Sequence, residues 1–114
     1  MAHAIENPFP PSGNAVLRML KQYGGCTATG SDEEILEAQR RLGSSGLFVQ
    51  PASALTVAVA KKLAKVGKIK PDAKVVCVLS GSGLKYTAAL EMQKLHSHEC
   101  RLEDAEKFIN RLVQ

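Results

Sequence analysis

The sequence contains no tryptophan, and aromatic residues make up only 4% of its 114 positions. A core without large rings must be built from aliphatic side chains, which is typical of helices packed on a parallel sheet. The same scarcity counts against a nucleic-acid surface, because single strands stack on aromatic rings beside a basic groove. The composition therefore favours an α/β domain and predicts no nucleic-acid partner.

Cysteine is also scarce. Cys26, Cys77 and Cys100 are odd in number and widely spaced, so neither a disulfide framework nor a zinc site is predicted. His96 and His98 have no third ligand of fixed geometry, and we expect no metal site. No apolar run approaches membrane-spanning length, and the N-terminus has no basic region followed by an apolar stretch. We expect a cytoplasmic protein that does not bind a membrane.

Basic residues outnumber acidic residues by 15 to 11, which gives a net charge of +4. They cluster mainly between Lys61 and Lys74, on a predicted helix and the turn after it. Without aromatic residues among them, this cluster is interpreted as a solvated face. The length suffices for one core and is too short for two, so we expect one compact domain over residues 1–114.

Residues 74–85 (KVVCVLSGSGLK) carry the strongest strand signal. The five apolar residues 75–79, three of them β-branched, are ended by Ser80 and two glycines, as in a strand buried on both faces. Such strands lie inside parallel sheets, whose ligands bind at the carboxyl ends of the strands. We therefore expect Cys77 and Leu79 in the interior, and Ser80 with Gly81 at a ligand site.

The two glycines of this segment suit a ligand site, because glycine allows a close backbone approach and a positive φ. They do not identify the ligand. Gly81 and Gly83 fail to complete the dinucleotide fingerprint GxGxxG, since Tyr86 stands at the third position, and the Walker pattern is also absent.

The helix signals before this segment are local and clear. Ser31 and Glu34 form a capping box, and the spacing of Ile35, Ala38 and Leu42 predicts a buried stripe. Pro51 is expected at the first position of the next helix. Strands and helices alternate, which predicts a three-layer α/β fold with a mostly parallel sheet and right-handed crossover helices. The predicted strands are residues 26–29, 47–50 and 74–79, and the predicted crossover helices are residues 32–42 and 52–66. Before them we expect an extended lead-in (1–13) and a helix (14–23). After them we expect a helical tail (86–114), with helices near 87–95 and 102–113.

Three segments, residues 31–38 (SDEEILEA), 46–54 (GLFVQPASA) and 78–85 (VLSGSGLK), resemble the C-terminal part of the threonine synthase family in order and spacing. The resemblance extends from about Ala4 to Lys85, with a weaker match in the last helix. It implies a fold-type II, tryptophan synthase beta-like, pyridoxal-phosphate lyase. Members of the family convert O-phosphohomoserine and water into threonine and phosphate.

The resemblance assigns expected cofactor contacts residue by residue. Ser80 matches the Ser or Thr whose hydroxyl bonds to the pyridine nitrogen of pyridoxal phosphate, and Gly81 follows it. Gln50 stands where relatives usually carry Glu before Pro-Ala-Ser, which places an amide near the ring. Tyr86 replaces the usual Asp after Leu-Lys. The implied cofactor-binding residues are Ser80, Gln50 and Gly81, and no catalytic residue is assigned.

The Schiff-base lysine and the phosphate-cradling loop of the family belong to an N-terminal portion that this chain does not match. Lys85 is the only lysine beside the predicted site, and it does not match the Schiff-base lysine. We therefore expect pyridoxal phosphate in the complete enzyme and none bound to this chain alone.

Two functions stay open at this point. One is the C-terminal portion of a threonine synthase-like lyase, inactive alone and partnered by the missing N-terminal portion or by another copy of itself. The alternative is a stand-alone, non-catalytic binding or regulatory module derived from the same fold. An incomplete sheet leaves strand edges open, so we also expect a homo-oligomer.

Overall fold

The computed structural model describes residues 1–92 and 98–112. Within these ranges, no helix is long and apolar enough to cross a membrane. Three short 3-10 turns lie at His3–Ile5, Gly83–Lys85 and Leu102–Asp104. The α-helices are α1 (Gly13–Tyr23), α2 (Asp32–Ser44), α3 (Pro51–Lys65), α4 (Ala88–Glu91) and α5 (Ala105–Leu112).

Helix α2 begins at the predicted capping box. The Glu34 N–H donates to Ser31 Oγ over 3.3 Å, and the Ser31 N–H donates to Glu34 Oε2 over 2.8 Å. These two bonds satisfy donors that the helix itself leaves unpaired at its first turn. The helix continues to Ser44, two residues beyond the predicted end.

Helix α3 begins with Pro51, as predicted, and the Gln50 carbonyl accepts hydrogen bonds from the Ser53 and Ala54 N–H groups. It packs against α2. Small side chains on α3 allow the two helices to approach closely, and their contact forms the core of the described chain. That core consists of Ile35, Ala38, Val49, Ala54 and Ala58.

The predicted parallel sheet is not formed by the described residues. Residues 26–29 and 74–79 form no strand, and strand pairing in the part of the chain that the structure describes is one isolated bridge, between Val49 and Ser82. That bridge is antiparallel, whereas the sequence predicts parallel pairing of the second and third strands. The physical reason is that a strand satisfies its N–H and C=O groups only on neighbouring strands, and residues 74–79 have no backbone partner within the described ranges.

The burial predicted for this segment is also wrong. Val76 is 89% exposed, and Cys77 and Leu79 are half-buried rather than interior. Leu79 packs against the core, and Cys77 Sγ lies 3.9 Å from the Thr56 carbonyl oxygen of α3. One face of the segment therefore packs on α3, and the opposite face is bare, that is, exposed to solvent.

The expected compact domain is not observed. The Cα radius of gyration is 18.5 Å, whereas a compact chain of this length has about 13 Å. Helix α1 forms as predicted, yet Val16 and Leu17 on its apolar stripe stay 51% and 63% exposed. Neither α1 nor α5 contributes a buried residue. Within the described residues, the core cluster comes from α2, α3 and the segments that touch them, and Ala89 of α4 is buried as well.

The two flanks differ in detail from the predictions. The lead-in is not wholly extended, because a 3-10 turn occupies His3–Ile5 and contacts α3. In the tail, α4 spans Ala88–Glu91, and Met92 is in a turn rather than in the predicted helix. Residues 93–95 of that helix, and His96 of the predicted loop, lie outside the described residues. The last predicted helix is confirmed as α5, preceded by a 3-10 turn, and its predicted end at Val113 also lies outside them.

Candidate functional site

Two backbone segments are paired by hydrogen bonds at the N-terminus of α3, an arrangement called the crossing below. The Gln50 N–H donates to the Gly81 carbonyl over 2.9 Å, and the Gly83 N–H donates to the Phe48 carbonyl over 3.1 Å. This crossing, formed by residues 48–50 and 81–83, brings together Gln50 and Gly81, two of the three residues expected at the site. Both segments depend on α3 for their position, because Gln50 is also the N-cap of that helix.

Two buried polar side chains attach the crossing to the helix pair. Ser53 on α3 is 2% exposed, and its Oγ accepts the Gly81 N–H over 3.0 Å. Gln39 on α2 is 3% exposed, and its Nε2 donates to the Val49 carbonyl over 2.7 Å. Buried polar groups without partners are costly, so these bonds fix the geometry of both segments.

Sequence reasoning missed both of these residues, although a signal was present. Gln39 lies four positions after Ile35, on the same helical face as the predicted buried stripe. Ser53 lies between alanines at the start of α3, on the face that packs. A polar side chain on a buried helical face requires a hydrogen-bond partner, which predicts a tertiary contact.

The two glycines of the crossing allow close packing of neighbouring side chains, and neither has a positive φ. A Cβ added at Gly81 would overlap the side-chain amide of Gln50, and its distance to Gln50 Cγ would be 2.8 Å. A Cβ at Gly83 would lie 2.5 Å from Phe48 Cε2. The positive-φ glycines described in this chain lie elsewhere, at Gly24, Gly46 and Gly67.

Ser80 is exposed at the edge of the crossing. Within residues 1–92 and 98–112, its hydroxyl makes no side-chain hydrogen bond, so this donor is available to a ligand. A cleft of about 370 Å³ lies beside the crossing and includes Gln50, Lys85 and Tyr86 in its lining. Ser80 and Gly81 do not line this cleft. The structure therefore brings Gln50 close to Gly81 and Lys85, and leaves Ser80 adjacent to them on an open face.

A larger cavity, about 710 Å³, lies between α2 and α3 and contains none of the expected site residues. Its rim is charged. Glu37 Oε1 lies 2.9 Å from Lys61 Nζ and 3.2 Å from Arg41 Nη2. The hydrogen bond from Lys61 holds the pKa of the Glu37 carboxyl below its ordinary value. The lining also includes Lys62 and Lys65, so basic side chains outnumber acidic ones there. None of the residues expected at the site lines this cavity, and we therefore place the candidate site at the crossing despite its smaller cleft.

Comparison with known proteins identifies the family to which this chain belongs. A family model described as pyridoxal-phosphate dependent enzyme matches residues 1–81. The chain belongs to this family. The match includes α1, α2, α3 and the crossing as far as Gly81.

Curated relatives of the chain carry the name threonine synthase. The protein of Methanocaldococcus jannaschii is 41% identical over 86 residues, which cover 75% of this chain and 21% of that protein. Those of Methanosarcina acetivorans and Halalkalibacterium halodurans are 40% and 37% identical over 86 residues, covering 21% and 24% of their lengths. The chain thus spans 21% to 24% of the length of the curated relatives it matches.

One exposed group beside the crossing has the chemistry that the ring nitrogen of pyridoxal phosphate, the cofactor in the family's description, would require. The pyridine ring of pyridoxal phosphate needs a hydrogen-bonding group at its nitrogen, and the exposed Ser80 hydroxyl is such a group. Ser53 already accepts the Gly81 N–H, so the backbone beside Ser80 is held without help from the ligand. The fit concerns the nitrogen edge of the ring only.

Proposed function

We propose that this chain forms the pyridine-nitrogen side of the cofactor site in a threonine synthase-like lyase, which converts O-phosphohomoserine and water into threonine and phosphate. The observation that carries the proposal is the crossing, in which Gln50 and Gly81 share a 2.9 Å backbone hydrogen bond next to the available Ser80 hydroxyl. Its residues up to Gly81 lie inside the stretch that matches the pyridoxal-phosphate dependent family.

Each of the three residues has a distinct role in this proposal. The Ser80 hydroxyl donates a hydrogen bond to the ring nitrogen and leaves that nitrogen unprotonated. Gln50 places a neutral amide where relatives usually carry a carboxylate, and Gly81 allows the amide to lie directly over the backbone. The bound cofactor supplies the electron sink for chemistry at the substrate Cα.

The reacting lysine and the phosphate-binding loop come from a partner portion of the fold. Lys85 lines the cleft beside Gln50, but it does not match the Schiff-base lysine of the family. Without a lysine that holds the ring covalently, the chain has no reacting centre of its own. We therefore propose that the chain is inactive until it joins the remaining portion, in the cytoplasm.

The test supplies that portion from a relative. The matching 86 residues of the Methanocaldococcus jannaschii threonine synthase are replaced by this chain, and cofactor absorbance and phosphate release from O-phosphohomoserine are measured. We expect the chimera to show the absorbance of bound cofactor and to release phosphate from O-phosphohomoserine. Ser80→Ala should lower turnover roughly two- to tenfold, the value of about one hydrogen bond, whereas Ser44→Ala on the exposed end of α2 should not. A folded chimera that binds no cofactor would contradict the proposal and favour the non-catalytic module.

The chain alone provides the complementary test. Incubation with pyridoxal phosphate, borohydride reduction and peptide mapping should find no stoichiometric adduct, and O-phosphohomoserine should release no phosphate. A single stoichiometric adduct on Lys85 would show that this chain carries its own reacting lysine.

A further inference from the structure

We propose that Ser53 is a positioning residue, which holds the Ser80–Gly81 peptide in the orientation that aims the Ser80 hydroxyl at its ligand. The Gly81 N–H belongs to that peptide, and it donates to Ser53 Oγ over 3.0 Å at a buried position. This inference rests on the proposed function for the role of Ser80, and on the geometry alone for the role of Ser53.

The hydrogen bond acts on the peptide plane. The carbonyl of Ser80 and the N–H of Gly81 lie in one plane, so fixing the N–H direction fixes the rotation of that plane. The Gly81 carbonyl is fixed separately by the Gln50 N–H over 2.9 Å. Ser53 is therefore the side chain that controls the peptide on the Ser80 side of the glycine. Without this bond, only the carbonyl side of Gly81 would be held, and glycine itself restricts its own φ and ψ very little.

Ser53 is itself rigidly held. It is 2% exposed, lies in the first turn of a 15-residue helix, and its own N–H donates to the Gln50 carbonyl over 3.0 Å. The same first turn that is capped by Gln50 thus also fixes Gly81. The first turn of helix α3 therefore holds both segments of the crossing, one through Gln50 and the other through Ser53.

The first experiment uses this chain and measures backbone amides by NMR. In Ser53→Ala, we expect the Gly81 amide to exchange about tenfold or more faster, because it loses its acceptor. The order parameter of the Gly81 N–H should fall from about 0.85 towards 0.6. The Gly83 amide, which donates to the Phe48 carbonyl, should keep its exchange rate. Ser53→Thr, which retains the hydroxyl, should restore slow exchange at Gly81.

The matched control is Thr56→Val. Thr56 lies on the same helix, and its hydroxyl donates to the Ser53 carbonyl within the helix over 2.8 Å. This variant removes a hydroxyl without touching the crossing, so the Gly81 amide should be unchanged. Equal exchange at Gly81 in the wild type and in Ser53→Ala would overturn the proposal.

The second experiment uses the chimera that tests the proposed function, and its signal is the absorption band of the bound cofactor. Ser53→Ala should shift the band in the same direction as Ser80→Ala, and Thr56→Val should leave it in place. If Ser80→Ala shifts the band and Ser53→Ala does not, Ser53 has only a structural role, and the proposal is overturned. A chimera that binds no cofactor at all would instead contradict the proposed function. The exchange rate of the Gly81 amide in the isolated chain would then show whether Ser53 orients the peptide.

Discussion

The α2–α3 pair and residues 74–79 are both rich in small and medium aliphatic side chains, yet they have opposite burial. Ala54 on α3 is completely buried, whereas Val76 is 89% exposed. The helix pair satisfies its backbone polar groups internally and needs only a partner for its apolar stripe, which the next helix along the chain supplies. A strand needs partners for its backbone as well, and these must come from elsewhere. Apolar composition alone therefore does not determine which segment is buried.

The largest difference between the two regions should appear on truncating one apolar side chain in each. Ile35→Ala removes a 3% exposed side chain from the core and should cost about 2–4 kcal/mol of unfolding free energy. Val76→Ala should cost less than about 0.5 kcal/mol. Urea unfolding followed by circular dichroism measures both. If Ile35→Ala does not fold, Ile35→Val should show a loss of about 0.5–1.5 kcal/mol. Equal losses at the two sites would mean that residues 74–79 are buried in solution.

A smaller effect is expected at the crossing, which joins the two regions. Gly81→Ala forces a Cβ into the side chain of Gln50 and should cost about 1–3 kcal/mol through overpacking. Combining it with Gln50→Ala removes the overlapping amide and should recover most of that loss. Unfolding of both single variants and the double variant gives the coupling energy. Strictly additive losses would show that the two residues do not pack against each other.

Self-association should depend on the bare face of residues 74–79. The combined variant Val76→Glu and Val78→Glu places charges on side chains that are 89% and 69% exposed. It should weaken association of the chain by about tenfold or more, because that apolar area can no longer be buried between copies. Sedimentation velocity over a concentration series measures this. Val66→Glu, at the end of α3 and 63% exposed, is the matched control. A wild-type chain that stays monomeric at high concentration would contradict the expectation.

The smallest effect concerns the charged rim of the helix pair. The pKa of Glu37 is lowered in the folded chain by its hydrogen bond with Lys61 and by nearby charges. A lowered folded pKa means that this contribution to stability is present above the unfolded value of 4.5 and is lost as the pH falls through the folded pKa. Glu37→Gln should therefore flatten the loss of thermal stability below pH 4.5. Glu106→Gln, on exposed α5, should leave the profile unchanged.

The elements that were predictable from the sequence are those with a local signal. Ser31 and Glu34 mark the start of α2, and Pro51 marks the start of α3, because caps and a first-position proline act within one turn. Of the predicted buried stripe, Ile35 and Ala38 are buried, whereas Leu42 is half-buried. For these helices, the physics of a few neighbouring residues decides the structure.

The sheet and the details of the site were not predictable in the same way. Residues 74–79 have the composition of a buried strand, but burial depends on backbone partners that are distant in sequence. The ends of parallel strands predict Ser80 beside the end of strand 47–50. The structure instead pairs Gln50 with Gly81, through an antiparallel bridge one residue away. The position of Ser53 on a buried helical face predicts that it has a tertiary hydrogen-bond partner. That this partner is the Gly81 N–H depends on tertiary geometry, which no local pattern encodes.

The basic cluster between Lys61 and Lys74 bears on how the bare segment behaves at high concentration. Lys74 lies directly before five consecutive apolar residues, and Lys68 and Lys70 precede them by seven and five positions. Natural sequences protect aggregation-prone strands with flanking charges of this kind. Stacking copies of the segment in register would bring these ammonium groups close together. Their repulsion opposes fibril growth in dilute buffer, and it weakens once the Debye length falls to about 3 Å near 1 M salt. High salt, which usually favours the compact state, should therefore also favour fibrils of this chain.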